Sequence, residues 1–324
     1  MSALLEIEDL NVTFNTRYGA VTALDSVSLH VNAGETLGVV GESGCGKSIT
    51  ALSVMGLIPS PPGRIAGGSI RLNGEELTTA SPARMRAIRG AEAAMIFQEP
   101  MTSLNPVFTV GAQIAEAIML HQKVGADQAM RAAVALLDRV GIPSPDARAR
   151  DYPHQLSGGM RQRVMIAMAV SCRPKMLIAD EPTTALDVTV QAQIFDLLNE
   201  IQRDFGAAIV LITHDMGAIA EMADRVAVMY AGRVIEGATA DDVLDHPQHP
   251  YARGLIDCIP NIAKGDAALR EIPGVVPPLH LLGAGCAFAA RCAHANNRCH
   301  TEKPKLAAHG HHPAACHAVQ EGRI

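Results

Sequence analysis

Gly41-Glu42-Ser43-Gly44-Cys45-Gly46-Lys47-Ser48 matches G-x-x-x-x-G-K-[ST], the pattern of a phosphate-binding loop. On its N-terminal side, Thr36-Leu37-Gly38-Val39-Val40 is a short apolar run of the kind a buried parallel strand uses. On its C-terminal side, Ile49 to Leu57 has no breaker before Gly56 and predicts a helix. Strand, loop and helix in that order supply the context the motif needs. Glycines let successive backbone N–H groups turn inward, and the helix N-terminus adds partial positive charge. Lys47 is then placed to reach the β- and γ-phosphates, and the Ser48 hydroxyl to ligate Mg²⁺. These residue types predict a nucleotide-binding loop in an α/β fold.

The composition narrows the setting. A chain of 324 residues holds one large or two modest domains with a substantial core. A net charge of -6 without any Lys/Arg block argues against a nucleic-acid partner. Aromatics make up only 3%, with no tryptophan, so stacking platforms for single strands are scarce. Met1-Ser2-Ala3-Leu4-Leu5-Glu6-Ile7-Glu8 lacks the basic region and apolar stretch of a secretory signal. Apolar runs such as Val164 to Cys172 end well short of the roughly eighteen residues of a membrane span. The expectation is a cytoplasmic chain that does not cross a membrane. Its seven cysteines then read as free thiols or a metal site before disulfides.

Taken in order, residues 4–12 and 27–31 read as strands of an N-terminal antiparallel sheet, with a loop from Asn15 to Ala20 between them. Tyr18 on that loop offers an aromatic face for an adenine ring, or serves simply as a half-buried side chain. Pro59 to Gly63 and Gly67-Gly68 are turn signals, Ser69 to Leu72 an edge strand, and Asn73-Gly74 a tight hairpin turn. Ala94 to Phe97 is a strand ending at Gln98. From about 101 to 173 the pattern is helical, over Val110–His121, Ala126–Val140 and Leu156–Cys172. Met176 to Ala179 is a buried strand ending in Asp180 and Glu181. A helix over Val190–Phe205, a strand over Ala208–Ile212, a helix over Met216–Met222 and a hairpin about Ala231-Gly232 follow. Strands alternating with helices mean a parallel sheet with crossovers. Beyond residue 236 frequent prolines and four of the seven cysteines mark a separate, loop-rich unit. The expected division is 1–236 and 237–324.

Ligands of open α/β sheets bind at the carboxyl ends of the strands. Gln98, Asp180 with Glu181, and His214 each stand just after a predicted strand. A lone histidine there is commonly structural, but four such groups beside a phosphate loop suit nucleotide hydrolysis. Asp180 suits Mg²⁺, a hard cation that wants oxygen ligands. Glu181 suits polarisation of the attacking water. His214 can hold the γ-phosphate and water in line, and Gln98 can complete the Mg²⁺ shell.

Leu156-Ser157-Gly158-Gly159-Met160-Arg161-Gln162 resembles the signature of ATP-binding cassette (ABC) ATPases. Asp180-Glu181-Pro182-Thr183-Thr184-Ala185-Leu186-Asp187 resembles that family's acidic strand end and following loop, Phe97-Gln98-Glu99 its glutamine loop, and Thr213-His214-Asp215 its histidine switch. Tyr18, twenty-three residues before Gly41, fits the family's adenine-stacking aromatic. The resemblance runs from residue 4 to about 236 with every motif in order. It implies an ATP site made of Tyr18, Gly41, Glu42, Ser43, Gly44, Cys45, Gly46, Lys47, Ser48, Ile49 and Asp180, with Glu181, His214 and Gln98 catalytic. It also implies that Ser157, Gly158, Gly159, Gln162 and Asp187 meet the ATP held by a partner subunit, two chains sandwiching two nucleotides head to tail. Ile49 departs from the pattern: many relatives carry Thr, whose hydroxyl contact to phosphate is lost here.

Ile96-Phe97-Gln98-Glu99-Pro100-Met101-Thr102-Ser103-Leu104-Asn105-Pro106 and His249-Pro250-Tyr251 resemble the oligopeptide/dipeptide importers. The resemblance implies peripheral attachment at the cytoplasmic face of the cell membrane. It also implies a second homologous ATPase, two transmembrane permease subunits that receive the helical insert, and a solute-binding protein. Di- and oligopeptides are the implied cargo, with nickel or glutathione as alternatives. A soluble ABC ATPase acting on nucleic acid or ribosomes usually carries two cassettes or a long coiled coil. This chain has one cassette and no heptad run. A GTPase would need an N-K-x-D motif, which is missing.

Cys286, Cys292, Cys299 and Cys316 are separated by five, six and sixteen residues. Four thiolates can hold an iron–sulfur cluster or tetrahedral zinc, or the thiols can stay free. The C-x-x-C pairs of common zinc ribbons are missing. Gly285-Cys286-Ala287-Phe288 and Arg291-Cys292 resemble the importers' C-terminal cysteine module, which implies a 4Fe-4S cluster. Cys45 lies where the backbone does the binding, so its thiol needs no role.

Overall fold

A computed structural model describes residues 3–99, 103–184, 186–258 and 271–324. Pro100, Met101, Thr102 and Ala185 of the quoted motifs lie outside the described residues. In chain order the strands and helices are β1 (Leu5–Thr16), β2 (Gly19–Val31), β3 (Thr36–Val40), α1 (Lys47–Val54), β4 (Gly63–Leu72), β5 (Glu75–Glu76), α2 (Pro82–Ile88) and β6 (Ala93–Ile96). Then come α3 (Val110–Gln122), α4 (Ala126–Arg139), α5 (Pro145–Arg148), α6 (Gly158–Val170), β7 (Met176–Asp180), α7 (Val188–Phe205), β8 (Ala208–Thr213), α8 (Met216–Met222), β9 (Arg225–Tyr230) and β10 (Arg233–Thr239). The C-terminal region adds α9 (Ala240–Asp245), α10 (Pro250–Asp257), α11 (Asn297–Thr301), β11 (Ala307–His309), β12 (His312–Ala314) and α12 (His317–Gln320). Among the described residues no helix is long and apolar enough to cross a membrane.

The chain divides into two units, Met1–Val31 with Thr36–Thr78 and Ile212–Ile324, and Asn32–Glu35 with Thr79–Leu211. In the first, β1 pairs antiparallel with β2 and β4, and β4 with β5. Leu5, Ile7, Leu10, Val12, Leu24, Val27 and Ile70 are buried in this sheet, each worth about 1.5–3 kcal/mol in removed apolar surface. The Asn15–Ala20 loop shrinks to a two-residue turn, because Thr16 pairs with Gly19 and leaves only Arg17-Tyr18 between the strands. Polar residues at the hairpin's tip need only backbone pairing, so the strands outrun the hydrophobic pattern that defined them. β4 is likewise longer than expected and lies between β1 and β5 rather than at the edge. Asn73 and Gly74 close its hairpin with φ of 51° and 80°, the paired positive values a type I′ turn needs.

A second sheet of the same unit has β3 parallel to β9, then β10 and β12 antiparallel, then β11. The C-terminal extension therefore does not stand apart. Glu236, fully buried on β10, accepts from the backbone N–H groups of Gln248 (2.8 Å) and His249 (2.6 Å) and pairs with His312 Nε2 at 2.7 Å. A buried carboxylate is stable only with such partners, and here the extension supplies all of these. Lys303 adds an ion pair with Asp25 of β2 at 2.7 Å.

The second unit orders its strands β8-β7-β6, with β6 and β7 parallel. Four of its helices begin at side-chain caps: Ser81 accepts from Arg84, Thr109 from Ala112, Ser157 from Met160 and Asp187 from Val190. Ile114, Ile118, Ala129, Ala133, Leu137, Val164 and Ile166 bury the apolar faces of α3, α4 and α6. This is the helical insert expected from the strand-poor stretch.

Candidate functional site

The phosphate loop leaves β3 and enters α1 in the first unit. Gly41 has φ of 152°, and a Cβ there would lie 2.3 Å from Met229 O and 2.7 Å from Cys45 Sγ, so no side chain fits. Gly46 precedes α1 in the left-handed region, with Leu24 Cδ2 at 2.7 Å from its absent Cβ. The Ala231-Gly232 turn braces the loop, Gly232 N–H donating to Cys45 O at 2.9 Å. Lys47 is buried and its ammonium arches back, donating to Gly41 O (2.6 Å) and Glu42 O (3.1 Å). Ser48 and Ile49 continue the first turn of α1, half-buried, while Ser43 and Gly44 are exposed at the loop's tip. Cys45 is fully buried, and burial holds its thiol pKa above the usual range.

Tyr18 stands at the tip of the β1–β2 hairpin, 60% exposed. Its ring stacks on His280, with centroids 4.5 Å apart and planes 7° from parallel, and the Arg17 guanidinium carbon lies 4.8 Å from its centroid. His214 is exposed just beyond β8, where Asp215 N–H donates to Thr213 Oγ1 at 3.0 Å and Asp215 caps α8.

In the second unit, β7 ends in Asp180, buried, and Glu181 follows at φ 46°. A left-handed conformation costs a non-glycine residue about 1–3 kcal/mol and concentrates at functional positions. Gln98 Nε2 and Thr184 Oγ1 both donate to Glu181 Oε2, each at 2.9 Å. The structure thus brings Gln98, Asp180 and Glu181 together at the ends of β6 and β7. The signature residues open α6: Ser157 caps it, Gly158 is exposed and Gly159 half-buried. Gln162 differs from them, being only 3% exposed, with no hydrogen-bond partner on its amide nitrogen among the described residues. Asp187 caps α7, accepting from Val190 N–H at 3.0 Å.

Cys286, Cys292, Cys299 and Cys316 are all free thiols of the first unit, and Cys286 N–H donates to Cys299 O at 2.7 Å. Burial raises the thiols of Cys286, Cys292 and Cys316, Cys286 to about 11, and their neighbouring cysteines add to the effect. Among the described residues no three His, Cys, Asp or Glu side chains are grouped so as to hold one metal ion.

Sequence reasoning missed three residues. Thr184 was only a member of the acidic loop, Tyr251 only a mark of resemblance, and Arg291 only a neighbour of Cys292. Tyr251 Oη accepts from Glu42 N–H at 2.7 Å, and Arg291 pairs with the Glu42 carboxylate. An arginine beside a cysteine is the one signal the sequence offered.

A family model described as ABC transporter matches residues 24–184, and one described as the oligopeptide/dipeptide transporter C-terminal region matches 235–299. The oligopeptide transport ATP-binding protein AppD of Bacillus subtilis is 50% identical over 309 residues, covering 95% of this chain and 94% of that protein. The oligopeptide transport ATP-binding protein OppD of Salmonella typhimurium is 51% identical over 303 residues, covering 94% and 90%. Among solved structures, the ATP-binding cassette MJ0796, a dimer in a post-hydrolysis state with ADP and Pi, matches with a TM-score of 0.66. At 24% identity over 73% of this chain and 98% of that one, the likeness bears on the fold alone.

Proposed function

Because the chain belongs to the ABC transporter ATP-binding family, in its oligopeptide/dipeptide branch, we propose that it hydrolyses ATP to power uptake of di- and oligopeptides through a membrane importer. The observation that carries the reading is near-half identity, over almost the whole chain, to proteins named for peptide transport.

Each residue has a task in that reaction. The 41–48 loop cradles the phosphates, Lys47 turns its ammonium to them, and Tyr18 stacks on the base. Ile49 offers its backbone N–H alone. Glu181 takes the proton of the attacking water, held in place by Gln98 and Thr184, and His214 orients the γ-phosphate. Ser48, Asp180 and Gln98 would hold Mg²⁺, which neutralises phosphate charge when bound; a hydrated ion needs only one or two carboxylates, and the buried Asp180 suits it. Ser157, Gly158, Gly159 and Asp187 face a partner's ATP, while the buried Gln162 acts from behind them. The partner is a second ATPase of the same kind, and both sit at the cytoplasmic face of the membrane beneath two permease subunits supplied by a solute-binding protein.

The four cysteines are assigned to a 4Fe-4S cluster. Supporting this are four thiols near enough to influence one another, none of them in a disulfide.

The test is extraction of the tagged chain from its own cell membrane in mild detergent, followed by reconstitution into vesicles. Permease subunits and a second ATPase should accompany it, and uptake of labelled peptide should require ATP and vanish in Glu181→Gln. A chain recovered alone or with ribosomes overturns the reading.

A further inference from the structure

Glu42, the second residue of the phosphate loop, is gripped by the C-terminal extension at two points. Arg291 Nη1 donates to its Oε2 at 2.7 Å and Nη2 to its Oε1 at 3.0 Å, a bidentate fork. Tyr251 Oη accepts from its backbone N–H at 2.7 Å. The guanidinium is itself fixed, with a side chain only 4% exposed. Its Nε donates to Pro273 O at 2.7 Å, Nη2 to Ile272 O at 3.3 Å and Nη1 to Tyr230 Oη at 3.4 Å, and it lies 5.6 Å from the Phe288 ring centroid. The Glu42 carboxylate keeps the Arg291 pKa above even the ordinary arginine range.

A carboxylate inside a loop that receives phosphates works against the loop. Its charge repels a polyanionic ligand over several ångströms, where the partly desolvated surroundings screen weakly. Arg291 cancels that charge and holds both carboxylate oxygens in its fork. On the reading of the 41–48 loop as the ATP site, we propose that Arg291 is a positioning residue of that site: it neutralises Glu42 and, with Tyr251, sets the loop for nucleotide. The extension is thereby part of the nucleotide site, not an appendage to the cassette.

The experiment measures the affinity of the purified full chain for N-methylanthraniloyl-ATP. Arg291→Gln weakens binding about ten-fold, the scale of one uncompensated charge nearby. Adding Glu42→Gln to Arg291→Gln restores affinity to within about three-fold of wild type. The Arg291→Gln defect shrinks as salt rises. A purely structural role would give no rescue on deleting the partner's charge. If Arg291→Gln does not fold, Arg291→Lys replaces it, because lysine keeps the charge but loses the fork; binding about three-fold weaker, with recovery in Glu42→Gln, is then expected. Unchanged affinity in Arg291→Gln, or a double variant no better than the single, overturns the proposal. Wild type that binds no nucleotide overturns the ATP-site reading itself, a separate outcome.

Discussion

Gln98 and Glu181 are joined by a 2.9 Å hydrogen bond between the ends of two neighbouring parallel strands. The amide comes from β6's end and the carboxylate from β7's, so sheet register sets their distance. Gln98→Ala removes one of the two donors on Glu181 Oε2 and should lower kcat about ten- to hundred-fold with KM for ATP nearly unchanged, the cost of misplacing a reacting group. Thr184→Val, removing the second donor, should act in the same direction. Steady-state hydrolysis at varied ATP separates the two constants; a rise in KM at constant kcat would assign Gln98 to binding instead.

Tyr18 shares one side of its ring with His280. Tyr18→Ala should weaken nucleotide affinity by about 5- to 150-fold, the range of base–aromatic stacking, while Tyr18→Phe stays near wild type. His280→Ala releases only the ring's orientation and should cost less than Tyr18→Ala. Equal binding by Tyr18→Ala and wild type would remove Tyr18 from the site.

His249 gives the fold a pH dependence. It is buried, its Nδ1 accepts from Tyr251 N–H at 3.0 Å, and burial, with the nearby Arg253 charge, pushes its pKa down from 6.5 to about 3. The unfolded chain therefore takes up the proton first as pH falls. Its contribution to stability is complete above pH 6.5 and is lost toward pH 3, at about 1.4 kcal/mol per unit. Urea unfolding should show a loss of about 1.4 kcal/mol between pH 7.5 and 5.5 from this group. His249→Asn keeps a capping acceptor for α10 and should remove that part of the slope. A slope unchanged in the variant would place the proton elsewhere.

The cysteine assignment makes a visible prediction. Chain purified without oxygen should be brown and carry about four irons, and Cys292→Ser or Cys316→Ser should bleach it. Colourless, iron-free wild type with four alkylatable thiols would leave these residues as thiols only.

Much of this could be read in advance, for identifiable reasons. The phosphate loop, Gln98, Asp180, Glu181 and His214 are legible because each is tied to a strand end, and buried parallel strands announce themselves as short apolar runs. Helices α3 and α8 are legible almost to the residue, since Thr109 and Asp215 cap their first turns, and α4 is legible from its amphipathic period. The hairpin tip around Tyr18 is not, because backbone pairing there leaves no apolar trace. Glu236 is the instructive case. It stands at the expected end of the cassette, and its buried carboxylate anchors the extension through His312 and two backbone N–H groups. A pair 76 residues apart in sequence has no local signature. The same holds for Arg291 and Glu42.

Glu42 and Arg291 also set a timetable for the growing polypeptide. The loop emerges early, and about 250 further residues are added before its arginine exists, some 12 to 50 s at ordinary bacterial and eukaryotic elongation rates. Through that interval the phosphate loop carries an acid whose partner has not been made, and Glu236 of β10 waits for His312 until after Arg291 has been added. If Arg291 sets the loop as proposed, a product terminated before residue 291 should bind ATP about ten-fold more weakly than the full chain.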